Sequence, residues 1–403
     1  MKYRVIATEC GPEIRFNDWK AYEGYVAPAR GEVQVHSDSP GRAHVINEFC
    51  SLGGGGDIEY ELVFRPDRIG ADGKFSLCFN RQYRARRVAP GLRGPDPEKP
   101  GGGDAGLRLE VTPGRLTFFR AGREVWSRPV AAGDLERPHT IKVATLLWEF
   151  VAELDGQGIA AGGWNADTKI NEGRTVVLAE DADVTISDYS QQYIRRDAAF
   201  PEWRRGDLLY EESFGRASFE ENWFTNGAEP TVDDKGFAFH VMSNSFLRRR
   251  FDAPVAVECV ATPQPSPKHS SIVTDAIFMW MADRADGDLF EYLAGLEDAE
   301  LGNLVPLNLY WVDLGGSNNV TTRLRRNPGR ILVRQFSDRP HLLVPGASYR
   351  TTSAVSGNSV EFWVDGERWI ETWDPDPHSS GFVGFRAFAA GIKVTELKVW
   401  SIS

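Results

Sequence analysis

Along most of the chain, short runs of β-branched and aromatic residues alternate with polar ones, broken at close intervals by Gly, Pro, Asn and Asp. GEVQVHS, DIEYELVF, GKFSLCFN, LRLEVT, RLTFF and HTIKVAT lie in the first half. VAVECVAT, AIFMWMAD, LNLYWVD, RILVRQF, VEFWVDG and IKVTELKVW lie in the second. No segment keeps a long apolar 3.6-residue period, and the best helical stretch is the short GDLFEYLAGLED at 287–298. This pattern predicts an all-β protein of sandwich or barrel type.

The pattern also repeats. HTIKVATLLWEFVAELDGQ (139–157) resembles YRTTSAVSGNSVEFWVDGE (349–367) at an offset of 210 residues, which lays Asp155-Gly156 on Asp365-Gly366. The same offset lays Val184-Thr185 on Val394-Thr395. Asp-Gly between alternating runs is a strong hairpin signal, because the turn needs positive φ. DIEYELVF parallels VAVECVAT, and KFSLCFN parallels AIFMWMA, more loosely. Two copies of one β-sandwich in tandem are therefore expected, over 1–200 and 208–403, joined near the polar RRDAAFPEWRRGD at 195–207.

The second half carries SFEENWFTNG, AIFMWMADRADGDLF, LNLYWVDLGG, TTRLRRNPG, HLLVPGASYR, VEFWVDGERWIE and GFVGFRAF in that order. This series resembles uncharacterised bacterial proteins of the concanavalin A-like lectin/glucanase superfamily, some of them encoded among genes for breakdown of pectin and related uronic-acid glycans. The resemblance covers about 208–403 well and 1–200 faintly. It implies tandem concanavalin A-like jelly rolls, each of two curved antiparallel sheets, with glycan bound across the concave sheet. The paired-glutamate strand motif of the glucanase branch has no counterpart here; the acids of FEYLAGLEDAE read as helix or loop. The fold hosts lyases, glycosidases and pure binding modules alike.

The formal charge is −11, which argues against a general nucleic-acid or membrane-surface binder. Cys10, Cys50, Cys78 and Cys259 are widely spread and fit neither a disulfide framework nor a zinc cluster. No secretory signal and no run long enough to cross a bilayer are visible, so a cytoplasmic location is expected. No Walker loop, dinucleotide fingerprint or HExxH occurs. No cofactor is expected; a structural calcium ion is compatible with such sandwiches.

Against that acidic background the basic stretch WVDLGGSNNVTTRLRRNPGR (311–330) stands out. It reads either as a hairpin with a solvated basic tip or as one wall of an anion site. Strand alternation puts Thr321, Arg323 and Arg325 on one face and Thr322, Leu324 and Arg326 on the other. Arginine suits a uronate carboxylate because its planar fork binds both oxygens. In LNLYWVD the alternation predicts Leu307 and Leu309 in the core, with Asn308 and Tyr310 on the open face. In GFVGFRAF, Val383, Phe385 and Ala387 share one face while Phe382, Gly384, Arg386 and Phe388 share the other. Arg386 also occupies a matching position in the resembled family. Trp280 and Trp363 are candidate sugar platforms, with Phe362 and Val364 predicted inward and Trp363 outward. The first half offers Asn80, Gln82 and Tyr83, followed by a Gly- and Pro-rich loop at 88–106 that could act as a lid.

A uronate lyase needs a cation to acidify the C5 proton, a base to take it, and an acid for the leaving oxygen. Arg323, Arg325 or Arg386 suit the first role, and Tyr310 and His341 the others. A hydrolase needs two carboxylates roughly 5–10 Å apart. Asp283, Asp288, Asp313 and Glu361 are available, although Asp313 beside Gly-Gly reads as a turn residue. The sequence therefore supports a carbohydrate-active enzyme, a lyase or a glycoside hydrolase, acting on a uronic-acid-containing oligo- or polysaccharide. A non-catalytic glycan-binding protein is the alternative, and a structural subunit with aromatic protein-binding faces a weaker third. The expected partner is the saccharide, without nucleic acid or membrane, and an oligomer is compatible with the sequence.

Overall fold

The computed structural model describes residues 3–10, 19–23, 25–29, 32–37, 42–47, 54–55, 57–81, 83–89, 92–100, 106–146, 149–163, 172–196, 202–266, 269–336 and 339–403. The chain divides into two compact units, Met1–Asp197 and Ala198–Ser403, and both are all-β jelly-roll sandwiches.

In the first unit, two long strands, Ile58–Arg81 and Glu172–Arg196, run antiparallel and organise the rest. The Ile58–Phe64 part pairs with His139–Leu146, and the Phe75–Phe79 part pairs with Leu107–Thr112. The bend falls at 70–73, where a Cβ on Gly70 would meet the Asp181 carboxylate and one on Gly73 the Asp181 carbonyl. Bending lets the two halves face each other. Phe64 then meets Phe75 edge-on at 5.7 Å, and Phe118 stacks on Phe150 at 6.5 Å. Part of the sequence expected as a lid forms a two-stranded ribbon, Tyr83–Ala89 with Leu92–Pro100. Asn80 is buried and accepts from Tyr60, which removes it from any groove. Gln82, Cys50 and residues 101–105 lie outside the described residues.

The second unit packs two sheets. The seven-stranded sheet contains β1 (Trp223–Gly227), β2 (Ser243–Asp252), β3 (Ala276–Asp283), β4 (Asn308–Gly315), β5 (Thr321–Asn327), β6 (Ile331–Phe336) and β7 (Ser380–Ala387). Their spatial order is β1-β2-β7-β3-β4-β5-β6. The eight-stranded sheet is built around Val255–Pro263, Tyr349–Ser356, Ser359–Val364, Glu367–Trp373 and Ile392–Ile402. Aromatic rings close the space between the sheets, with Phe278–Phe362 at 5.7 Å and Phe239–Phe385 at 5.5 Å.

The 210-residue repeat survives in hydrogen bonds. Asp155 and Asp365 both have positive φ, 51° and 50°, and are followed by Gly156 and Gly366 at 76° and 84°. Each backbone N–H donates over 2.8 Å to the carbonyl of the residue 15 positions earlier, Thr140 or Arg350. Each carboxylate accepts from that same residue's N–H, at 3.0 and 2.9 Å.

The seven-stranded sheet is covered on both faces. A short helix, Leu289–Ala294, capped by the Asp288 carboxylate, begins a segment that lies across its outer face. Leu289, Leu293, Leu304 and Leu307 pack there against Phe246, Ile277, Met279, Leu309 and Trp311. Leu307 and Leu309 of LNLYWVD are buried as expected, but the open face expected for Tyr310 is not found. Leu309 is buried under the covering segment, and Tyr310 points between the sheets.

Candidate functional site

Residues paired across adjacent antiparallel strands share a face. One such rank crosses all seven strands: Asn226, Asn244, Arg386, Ile277, Asp313, Arg323 and Gln335. Six of the seven are polar. At a strand spacing of about 4.8 Å the rank spans roughly 29 Å. The next rank on the same face, Phe224, Phe246, Gly384, Met279, Trp311, Arg325 and Leu332, is mainly apolar.

The polar rank is buried. Arg386 and Asn244 are fully enclosed, and Asp313 and Gln335 nearly so. Arg386 donates from Nη1 to Asn244 Oδ1 at 2.6 Å and to the Ala299 carbonyl. Arg323 donates from Nη2 to Asp313 Oδ2 at 2.5 Å. Asn226 Nδ2 donates to the carbonyls of Leu293 and Leu296 at 3.3 and 3.4 Å.

Each polar member nevertheless keeps a buried atom without a hydrogen-bond partner among the described residues. These atoms are Asn226 Oδ1, Asn244 Nδ2, Arg386 Nε and Nη2, Asp313 Oδ1, Arg323 Nε and Gln335 Oε1. An unsatisfied buried polar group costs about 1–3 kcal/mol, and native proteins rarely leave several in one place. Burial lowers the pKa of the Arg386 guanidinium to about 10, against the pull of Glu300, Asp275 and Asp313.

Asp275 adjoins the rank. Burial and the charge of Asp313 raise its pKa to about 7. Its Oδ2 accepts from Thr274 at 2.9 Å. The basic stretch is therefore not a solvated tip. Arg325 is 4% exposed, donates to the Arg330 carbonyl at 2.8 Å, and lies 5.9 Å from the Trp311 ring centre. Asp313, expected as a turn residue, is a strand residue in an ion pair.

Five expected residues fall elsewhere. Tyr310 lies between the sheets and donates to Asp374 Oδ2 at 2.5 Å, while Arg326 Nε donates to that same oxygen at 2.7 Å. Burial and the Asp374 charge push the Tyr310 pKa well above its usual range, so it is a structural phenol rather than an exposed acid. Trp280, 1% exposed, is wedged between Tyr310 and Phe362 at 5.8 and 6.4 Å and offers no sugar platform. His341 stacks on Phe336 at 4.0 Å, meets Trp369 edge-on at 4.8 Å, and accepts at its carbonyl from Thr322. It is thereby packed apart from the arginine rank. Trp363 faces outward as expected, but from the eight-stranded sheet, on the opposite side of the sandwich. Asn308 opens β4 opposite Asp283. Of the expected set, only Arg323, Arg325 and Arg386 come together.

Among the described residues, no group of three or more His, Cys, Asp or Glu could hold a metal ion. Cys78 and Cys259 are buried free thiols. No described helix is long and apolar enough to cross a membrane.

Residues 244–397 match a family described as a domain of unknown function, DUF6250. No curated protein matches the chain. Among solved structures, the chain is similar to a Bacillus subtilis protein of unknown function with a galectin-like fold, at 16% identity and TM-score 0.43, covering 50% of this chain and 99% of that one. It is also similar to the carbohydrate binding module CBM66 from Bacillus subtilis, at 16% identity and TM-score 0.30, covering 43% and 95%. A third is the endo-beta-1,3-glucanase from Pyrococcus furiosus, at 12% identity and TM-score 0.34, covering 51% and 99%.

Proposed function

We propose that the second unit binds a carboxylate-bearing carbohydrate, of the uronic-acid class, along the polar rank of its seven-stranded sheet. The observation that carries this reading is the rank itself: six polar side chains in one transverse line, each with a buried atom lacking a partner among the described residues. Donors at Asn244, Arg386 and Arg323 are interspersed with acceptors at Asn226, Asp313 and Gln335. Sugar hydroxyls both donate and accept, so a pyranose chain laid across the strands meets both kinds of group. The Arg386 fork has two nitrogens, Nε and Nη2, left to donate to a carboxylate, a stronger acceptor than a hydroxyl.

The ligand enters by lifting the covering turn. The Ala299 carbonyl sits on Arg386, and the Leu293 and Leu296 carbonyls sit on Asn226. These contacts tie the cover to the residues the ligand would use, so carbohydrate and cover compete for them.

A second reading, that the same face is catalytic, draws on Asp275 and Asp313. Asp275, its pKa raised to about 7, is partly protonated at neutral pH, and Arg323 compensates the charge of Asp313. A protonated and an ionised carboxyl side by side can act as acid and base.

Incubation with oligogalacturonates separates these outcomes. Rising absorbance of the unsaturated-uronate band means a lyase, and new reducing ends alone mean a hydrolase. Binding without either means a recognition module. No binding to any uronate oligomer would overturn the proposal.

A further inference from the structure

The opposite face of the second unit holds a separate cavity. It has a volume of about 670 Å³ and is lined by Trp203, Trp363, Glu361, Arg205, Arg368 and Thr352, among others. That volume lies within the roughly 300–1,000 Å³ of small-molecule sites. Trp203 and Trp363 form its walls, 6.2 Å apart and inclined at 79°, so one ring presents its plane where the other presents its edge.

Both indoles are fixed by one buried carboxylate. Glu361 Oε2 accepts from Trp363 Nε1 at 2.8 Å and from Trp203 Nε1 at 3.2 Å. Its Oε1 accepts from Ser359 at 2.8 Å. Trp203 is held further by its neighbour Arg204, whose backbone exchanges hydrogen bonds with Ser403 at 2.9 and 3.1 Å. Two half-buried indoles locked before any ligand arrives lose little entropy on binding, which favours recognition.

Both arginines that line the cavity are ion-paired. Arg205 pairs with Glu258 at 3.1 Å, and Arg368 pairs with Glu371 at 3.0 Å while lying 5.5 Å from the Trp363 ring centre. The orphaned guanidinium of the polar rank has no equivalent in these pairs. Stacking surface whose arginines are already paired, beside the carboxylates of Glu202 and Glu361, fits a ring with apolar C–H faces and uncharged hydroxyls rather than an anionic one.

We infer that this cavity is a second carbohydrate site, selective for neutral glycan chains and independent of the arginine rank. The test titrates the full chain with four neutral hexaoses, derived from cellulose, laminarin, β-1,4-galactan and β-1,4-mannan, while following tryptophan fluorescence. At least one should shift the emission with saturation. Trp363→Ala and Thr352→Trp, the latter filling the cavity without removing an indole, should each weaken that binding at least tenfold. Arg386→Gln should leave it within twofold. If none of the four binds, or if binding survives in Thr352→Trp, the inference is overturned. Because Arg386→Gln and Thr352→Trp act on opposite faces, loss of one site is read separately from loss of the other.

Discussion

Arg323 and Asp313 form a buried ion pair across neighbouring strands, 2.5 Å between Nη2 and Oδ2, yet Nε of the one and Oδ1 of the other have no partner among the described residues. Breaking a buried pair from one side strands a charge and typically costs about 3–5 kcal/mol, whereas removing both charges together is far milder. Arg323→Gln is therefore expected to lower unfolding free energy by that amount. Asp313→Asn combined with Arg323→Gln should recover most of it. A urea-denaturation double-mutant cycle reads the difference, and simple additivity would show that the pair is not coupled.

Asp275 gives the protein a pH dependence of defined sign. Its folded pKa, raised to about 7 by burial and the Asp313 charge, exceeds the ordinary carboxyl value. Between about pH 4 and pH 7 the folded state then holds more protons than the unfolded one, so this group makes stability fall as pH rises, by up to about 1.4 kcal/mol per unit. Asp275 has a φ of 53°, a conformation Asn also tolerates. Asp275→Asn should flatten the stability profile across that window. An unchanged slope in thermal melts at pH 5 and pH 7 would remove Asp275 as its source.

Tyr310 was legible as a polar aromatic on a strand, and its environment gives it a structural task. Tyr310→Phe removes a buried hydrogen bond to a carboxylate, worth about 1.5–3 kcal/mol, while Arg326 still holds Asp374. The expected outcome is a lower melting temperature with uronate affinity unchanged. Intact stability with lost binding would return Tyr310 to the site.

The covering segment predicts an unusual pairing of effects. Leu293 belongs to this segment and is fully buried against the sheet. Leu293→Ala should cost about 2–5 kcal/mol of stability and raise the fraction of molecules with the cover displaced. Apparent affinity improves in proportion to the competent fraction. Tighter uronate binding in a less stable variant is the expected result, read by calorimetry alongside thermal unfolding. Weaker binding would mean that the cover contributes contacts rather than competing.

Local features of the sequence carried much of this architecture. Asp155-Gly156 and Asp365-Gly366 announced equivalent hairpins because only a few residues accept two successive positive φ angles. The two faces of GFVGFRAF, and of Thr321 to Arg326, followed from simple alternation. Alternation placed Leu309 correctly but failed at Tyr310, because it assumes one wet and one dry face, and here the 284–307 segment dries one face and the eight-stranded sheet dries the other. Asn226, Asn244 and Gln335 were not legible. Each joins the rank through strand order and register, which also set Asn244 beside Arg386, 142 positions away. Glu361 sat two residues from Trp363 on the same face, but its service to Trp203 depends on the chain returning from residue 203.

In the proposed site, recognition of a carboxylate falls to Arg386. Isothermal titration of wild type and Arg386→Gln with trigalacturonate and with neutral galactotriose tests this directly, with thermal unfolding confirming that the variant is folded. Selective loss of trigalacturonate affinity, about 10- to 100-fold and equivalent to about 1.5–3 kcal/mol, is the predicted result. Equal loss for both sugars, or no change for either, would contradict it.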